Sequence, residues 1–411
     1  MFKKILALTL TVLMLATLCV SFASCGGKKS SFEPVAKEDL KIGFIFLHDA
    51  NSTYDKNFID AANRMKTDLG LKDEQVIMKT GVPEGDACYQ TAKELAEGGC
   101  NIVFADSFGH EEFMLQAAQE FPNVRFCHAT GTMAHTANLD NFSNAFASIY
   151  EGRYLAGIAA GMKLNEMIAA GTITAEQAVI GYVGAWSYAE VISGFTSFFL
   201  GAREICPSAT MKVQFTGSWY DLALEKEAAE TLINKEHCVL ISQHADSMGA
   251  PSTCETAGVP NVSYNGSTKN ACPNTFIVSS AINWTPYFKY IVDCVIKGEK
   301  IAADWTGTIE TGSVVLSEIN ETAAAAGTVE KVAEYKAKLL DKANPWRVFS
   351  TDKYKVEGAV QTAYKADVDT DKDFTPDTEA ISGGYFHESE YRSAPYFDVK
   401  IDGITWLNSA Y

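Results

Sequence analysis

The sequence predicts an α/β protein built as two doubly wound lobes with a ligand cleft between them, and three observations lead to that architecture. From Lys41 onward, apolar runs alternate with segments of helical periodicity, the mark of parallel strands joined by crossover helices. The alternation comes in two series, separated by a long helix that begins near Tyr150. Aromatic and carboxylate residues recur where the apolar runs end, and open α/β sheets hold their ligands beyond the carboxyl ends of the strands.

The first series predicts strands at 41–47, 75–80, 101–105 and 124–129, with helices at about 54–68, 86–98 and 111–120. The second predicts strands at 178–184, 210–216 and 238–242, with helices near 189–205 and 221–235. The chain then runs through 261–264 and 275–280 into a helix at 286–297, and turns through a hairpin-like 305–316. Lobes are therefore expected at 41–149 and 150–264, with 265–411 supplying inter-lobe crossings and a C-terminal extension.

Residues 1–24 read as a signal peptide: Lys3 and Lys4 precede an apolar run from Ile5 to Val20, and small residues lead to Cys25. The run is shorter than the ~20 residues a spanning helix needs. Phe22-Ala23-Ser24-Cys25 resembles the lipobox of bacterial lipoproteins, with Phe22 in place of the usual Leu, which implies lipidation of Cys25. Residues 25–40 then form the lipidated end and a flexible Gly/Lys/Ser tether. The rest is expected to lie outside the cytoplasm, held to the membrane by that lipid.

A formal charge of -17 repels phosphate backbones, so nucleic acid is not expected as a partner. Of ten cysteines, Cys19 lies in the signal and Cys25 is the lipid acceptor; the remainder lack CxxC or metal spacing. Most read as buried thiols, while a Cys254–Cys272 pair stays open.

The predicted strand ends carry Asp49, Asp106-Ser107-Phe108, Trp186, Trp219-Tyr220-Asp221, His244-Ala245-Asp246 and Asn265. Rings and carboxylates together suit a flat heteroaromatic ring bearing hydroxyls, because stacking is worth ~1–3 kcal/mol per base and a hydrogen bond to a charged group ~1.5–3. Sugars also stack on aromatic faces. Asp49 and Asp221 have a competing use as helix caps, Phe108 as core filler, and Asp246 as the start of a helix. Asp246 is the preferred hydroxyl ligand and Trp186 the preferred stacking ring.

Glu151-Gly152-Arg153-Tyr154-Leu155-Ala156-Gly157, Gly181-Tyr182-Val183-Gly184-Ala185, Ser218-Trp219-Tyr220-Asp221, Gln243-His244-Ala245-Asp246-Ser247 and Asn283-Trp284-Thr285-Pro286-Tyr287 together resemble the basic membrane protein (BMP) family of substrate-binding lipoproteins. The similarity runs in order from about Lys41 to Leu316. It implies a type I periplasmic-binding-protein fold, hinge closure on a purine nucleoside or base, delivery to the permease of an ABC importer, and no catalysis. Trp284 joins the candidate ligand residues on this ground. The purine-binding branch of the family tends to carry a Trp early in the loop after the first strand; Ser52 stands there, and Tyr54 is expected to supply the ring.

A sugar-binding or sensory lipoprotein would share the fold, and a secreted nucleoside hydrolase would use the same carboxylates. His48, His128 and His244 lack the helix spacing of a zinc site, and no nucleophile elbow is present. No metal or cofactor is called for. The acidic run 367–373 lacks the Gly and Glu positions of an EF-hand and reads as a solvated loop.

Overall fold

The computed structural model describes residues 32–368 and 375–410; the signal, Cys25 and most of the acidic run lie outside the described residues. Strands β1 (Ile42–Ile45), β2 (Val76–Lys79), β3 (Ile102–Ala105), β4 (Arg125–Ala129) and β5 (Phe142–Ala147) alternate with α1 (Thr53–Leu69), α2 (Asp86–Glu97), α3 (Glu111–Glu120) and the single turn α4 (Ala134–Ala137). They form an all-parallel sheet in the order β11-β5-β4-β3-β1-β2, whose edge strand β11 (Asp304–Gly307) comes from much later in the chain. Most strands are short unbroken apolar runs because helices cover both faces, as in other parallel sheets.

The chain leaves this sheet into α5 (Ile149–Ala169), then builds β6 (Val179–Gly184), α6 (Ala189–Ile205), β7 (Thr210–Phe215), α7 (Leu222–Asn234), β8 (Leu240–His244), α8 (Gly249–Ala257), β9 (Asn261–Tyr264) and β10 (Phe276–Ile282). The second sheet has the order β12-β10-β9-β8-β6-β7-β17, parallel except for β12 (Val314–Leu316). Helix α9 (Thr285–Lys297) returns to the first lobe, where Phe288 meets Phe44 and Phe104, each at 4.9 Å between ring centres. Three crossings thus join the lobes: β5 to α5, β10 to α9, and β11 to β12.

The last crossing corrects the hairpin reading of 305–316. β11 pairs in parallel with β5 and β12 antiparallel with β10, so the two strands belong to different sheets. Each extends the edge of its own sheet.

Beyond α10 (Thr328–Leu340) the C-terminal extension makes the small pairs β13 (Lys365–Ala366) with β14 (Thr378–Glu379) and β15 (Ile381–Ser382) with β16 (Tyr385–Phe386). It ends in β17 (Ile404–Trp406), which joins β7 in parallel at the edge of the second sheet. Of the eight described cysteines all are buried free thiols, Cys254 and Cys272 among them.

Two local features position the site. Ser52 caps α1 by accepting the Asp55 N–H at 3.2 Å, and Gly70, at φ 61°, closes the other end through Lys66 and Thr67 carbonyls. The absent Trp is thus replaced by a helix cap that aims the first turn of α1 into the cleft. Helices α5 and α6 approach so closely that a Cβ on Gly157 would lie 2.0 Å from the Phe198 carbonyl oxygen and one on Gly201 2.1 Å from that of Tyr154. These glycines bring the base of the second lobe under the cleft.

Candidate ligand site

A cavity lies between the lobes at the carboxyl ends of both sheets. Leu47, His48, Tyr54, Asp55, Ser107, Phe108 and Thr130 line it from the first lobe; Glu190, Trp219, His244 and Asp246 line it from the second. Its atom-free space, counted with its opening to solvent, is about 410 Å³. The lobes touch around it: the Thr53 N–H donates to the Asp246 carbonyl oxygen at 3.1 Å, and Asn57 Nδ2 to Asn265 Oδ1 at 3.2 Å.

The first lobe presents a carboxyl pair. Asp55 accepts the His48 N–H at 2.7 Å and faces His48 Nδ1 at 3.3 Å. Burial works to raise its pKa, but the His48 and Ser52 hydrogen bonds bring it below the ordinary value. Asp106, deeper, is held well above the ordinary value by burial and then by the Asp55 charge. Asp106 Oδ1 accepts the Leu47 N–H at 3.1 Å, and Oδ2 receives no donor. The proton therefore resides on Asp106, which braces the strand ends while Asp55 carries the charge into the cavity. Tyr54 donates to the Asp106 carbonyl oxygen at 2.7 Å, fixing its ring on the cavity wall.

The second lobe presents Asp246 and Glu190. Burial pushes the Asp246 pKa well up, aided by the Glu225 and Asp55 charges, while Asn265 Nδ2 donates to its Oδ1 at 3.2 Å. Burial lowers the His244 pKa, so its ring is neutral at pH 7; Nε2 lies 3.4 Å from Glu190 Oε1 and Nδ1 has no partner. Beneath this wall the fully buried Arg153 donates to the Tyr182 hydroxyl at 2.5 Å and the Gln243 carbonyl at 3.4 Å, tying α5 to β6 and β8.

Thr130 and Asn265 stand at φ 67° and 65° directly after β4 and β9, a left-handed conformation costly for non-glycine residues and concentrated at functional sites. Thr130 Oγ1 is buried without a partner. With His244 Nδ1 it leaves two unspent hydrogen-bonding atoms at the cavity. No lysine or arginine lines this cavity, and no metal-binding cluster of His, Cys, Asp and Glu occurs among the described residues.

Six residues singled out in the sequence line this cavity: Tyr54, Ser107, Phe108, Trp219, His244 and Asp246. Ser107 spends its hydroxyl on Glu84 Oε1 at 2.6 Å. Asp106 and Asn265 stand one layer behind, acting through Asp55 and Asp246. Four residues are placed elsewhere. Asp49 is exposed and accepts the Asn51 N–H in its own turn. Asp221 caps α7, accepting the Ala223 and Leu224 N–H groups at 2.9 Å each. Trp284 is core, stacked on Phe58 at 4.5 Å because the α9 start must be buried against α1. Trp186 stacks on Tyr188 at 5.8 Å outside the cavity. The sequence reading missed Asp55 and Glu190 as lining residues; Ser52-x-x-Asp55 carries the spacing of a helix start, the signal that could have found the first.

Two parallel α/β lobes, three crossings and a polar-aromatic cavity between them define a solute-binding protein of the type I periplasmic-binding-protein fold. Comparison with known proteins places it more narrowly. Residues 46–343 match the family model of PnrA-like ABC transporter substrate-binding proteins, and the chain belongs to that family. A purine-binding protein of Brucella abortus is 31% identical over 282 residues, 67% of this chain and 74% of that one. A Haloferax volcanii protein provisionally assigned as an ABC transporter glucose-binding protein is 32% identical over 226 residues, 55% of this chain and 54% of its own length. Solved solute-binding proteins from Conexibacter woesei and Aeropyrum pernix share the fold, with TM-scores of 0.60 and 0.57 at 19% and 16% identity, covering 73% and 74% of this chain and 96% and 88% of theirs. The protein is thus a non-enzymatic, extracytoplasmic transport component that takes a small molecule to a permease, and the hydrolase reading falls. Among the described residues no helix is long and apolar enough to cross a membrane.

Proposed function

We propose that this protein captures a purine nucleoside or purine base and delivers it to an ABC importer while anchored to the bacterial membrane through lipid on Cys25. The observation that carries the ligand class is the pairing of Asp55, Asp246 and Glu190 with the rings of Tyr54, Phe108 and Trp219 in one cavity. Hydroxyls and ring N–H groups are donors that carboxylates need, and a purine offers a π-face to each ring. The purine-binding name of the Brucella relative points the same way. Calorimetry with adenosine, guanosine, inosine, adenine and glucose tests it; binding of at least one purine compound and not glucose is expected, and glucose binding alone rejects the purine reading.

The provisional glucose assignment of the Haloferax relative makes a sugar the second reading, since the same carboxylates would accept sugar hydroxyls. The anchor rests on the cysteine-terminated signal. Cys25→Ser should move the protein from membranes to the soluble fraction with ligand affinity unchanged; unaltered membrane retention argues against the lipid.

A further inference from the structure

The C-terminal extension lies beyond residues 46–343, the span shared with the family, yet it reaches the mouth of the cleft. A second cavity opens directly from the first and shares Phe108, Thr130, Glu190 and Trp219 with it. Its outer wall is made by Arg392, Ala394 and Pro395, facing Tyr188 and Ala189 at the start of α6. Around the shared rings, Phe108 and Tyr188 lie 5.9 Å apart and Tyr188 and Trp219 6.2 Å apart, so three aromatic side chains line one side.

This wall is built into both lobes. The Ser393 N–H donates to Asp304 Oδ2 at 2.6 Å, at the edge of the first sheet, and Asp304 also faces His135 Nε2 at 3.1 Å. Just beyond, the Tyr396 and Phe397 N–H groups donate to the buried Glu388 Oε2 at 3.2 and 3.0 Å. The tail then joins the second sheet: Asn408 exchanges two hydrogen bonds with the Phe215 backbone, and Ala410 two with Ser187. Ser187 sits between Trp186 and Tyr188, so the tail also fastens the loop that carries the Tyr188 ring. Arg392 is drawn toward the segment itself, donating to the Asp367 carbonyl at 3.1 Å and the Ala394 carbonyl at 3.4 Å.

We propose that residues 392–395 complete the ligand site as the wall of an outer, aromatic compartment that holds the planar base, while the inner carboxylate compartment takes the hydroxyl-bearing part. The division follows from the chemistry of each half. Asp55, Asp246 and the two histidines line only the inner cavity, Phe108, Trp219 and Glu190 line both, and Tyr188, Ala394 and Pro395, with Arg392, line only the outer one. A base placed outward keeps its faces on rings and a proline, and its ribose inward on acceptors. The inference rests on the purine reading and adds to it an element that the family's shared region lacks.

Photolabelling of the full chain with an azido-substituted adenosine tests it, because the nitrene formed on the base reacts with whatever stands beside it. Labelled peptides should contain 392–395 together with Phe108 or Tyr188. Label confined to 48–55 and 244–246, with adenosine binding intact, overturns the outer compartment and leaves the purine reading standing. Ala189→Phe, which fills the compartment from a half-buried helix start, should weaken adenosine roughly 10-fold or more; unchanged affinity also overturns it. A wild type that takes up no adenosine removes the purine reading itself.

Discussion

Asp246 and Phe108 should fail differently when truncated. Phe108 is exposed at 46% and offers only its face, so Phe108→Ala should weaken every purine ligand alike, by ~1–3 kcal/mol. Asp246→Ala removes an acceptor and should penalise adenosine more than adenine, by ~1.5–3 kcal/mol; equal losses in calorimetry would remove its hydroxyl-binding role. The same carboxylates predict what stays out. With the Asp55 and Glu190 carboxylates facing one cavity and no lysine or arginine in its lining, adenosine monophosphate should bind at least ~100-fold more weakly than adenosine, since like charges in a low-dielectric cleft cost several kcal/mol. Comparable affinity would mean that the phosphate finds a cation elsewhere.

At this scale the sequence was a partial guide for an identifiable reason. A carboxylate after a strand is visible, but whether it faces the ligand depends on where the next helix starts. Asp49 falls in a turn before the Ser52 cap, whereas Asp55 lies in the first turn of α1 and is carried inward. Asp221 loses the same contest, because both first-turn N–H groups of α7 reach it. Trp186 and Trp284 look alike in sequence as rings after strands, and only tertiary packing stacks one on Tyr188 outside the cavity and buries the other in the core.

Helix α5 and helix α6 set the geometry of the second lobe through backbone contact. Glycine inside a helix is ordinarily less favourable than alanine by ~1 kcal/mol, so Gly157 and Gly201 need a compensating use, and the 2.0 and 2.1 Å positions of their missing Cβ atoms supply it. Gly157→Val should lower stability by more than ~3 kcal/mol, beyond the usual ~0.5–3 of a single change, in chemical denaturation; a change below ~1 kcal/mol would show that the helices can separate without consequence. The Glu151–Gly157 motif was legible as a family mark, while its reason, a helix crossing that admits no side chain, appears only in the packed pair. Inter-lobe crossings were expected within 265–411, but β11 and β12 read as a hairpin, because two short apolar strands near one another in sequence look alike whichever sheets they join.

Across the whole molecule, buried carboxyls make stability depend on pH. Burial raises the Glu225 and Glu388 pKa values to about 7. Between the ordinary glutamate value, ~4.3, and about 7 these two groups hold more protons in the folded chain than in the unfolded one, so the stability they contribute falls as pH rises through that window. The unfolding midpoint should therefore be higher at pH 5.5 than at pH 7.5, and Glu225→Gln should flatten the slope; a midpoint that rises with pH would contradict the assignment. The two-lobe α/β architecture was readable from alternation alone, but the extension was not, since its short pairs carry no periodic signal and its place at the cleft depends on Asp304 and Ser187.

Under the proposed function a purine compound is captured between two lobes that close on it, the lobes meeting through Thr53–Asp246 and Asn57–Asn265. Small-angle scattering of the full chain with and without saturating adenosine measures that closure directly. A radius of gyration that shrinks with adenosine and stays unchanged with glucose is the predicted result; identical profiles with and without adenosine, or contraction with glucose alone, would contradict it.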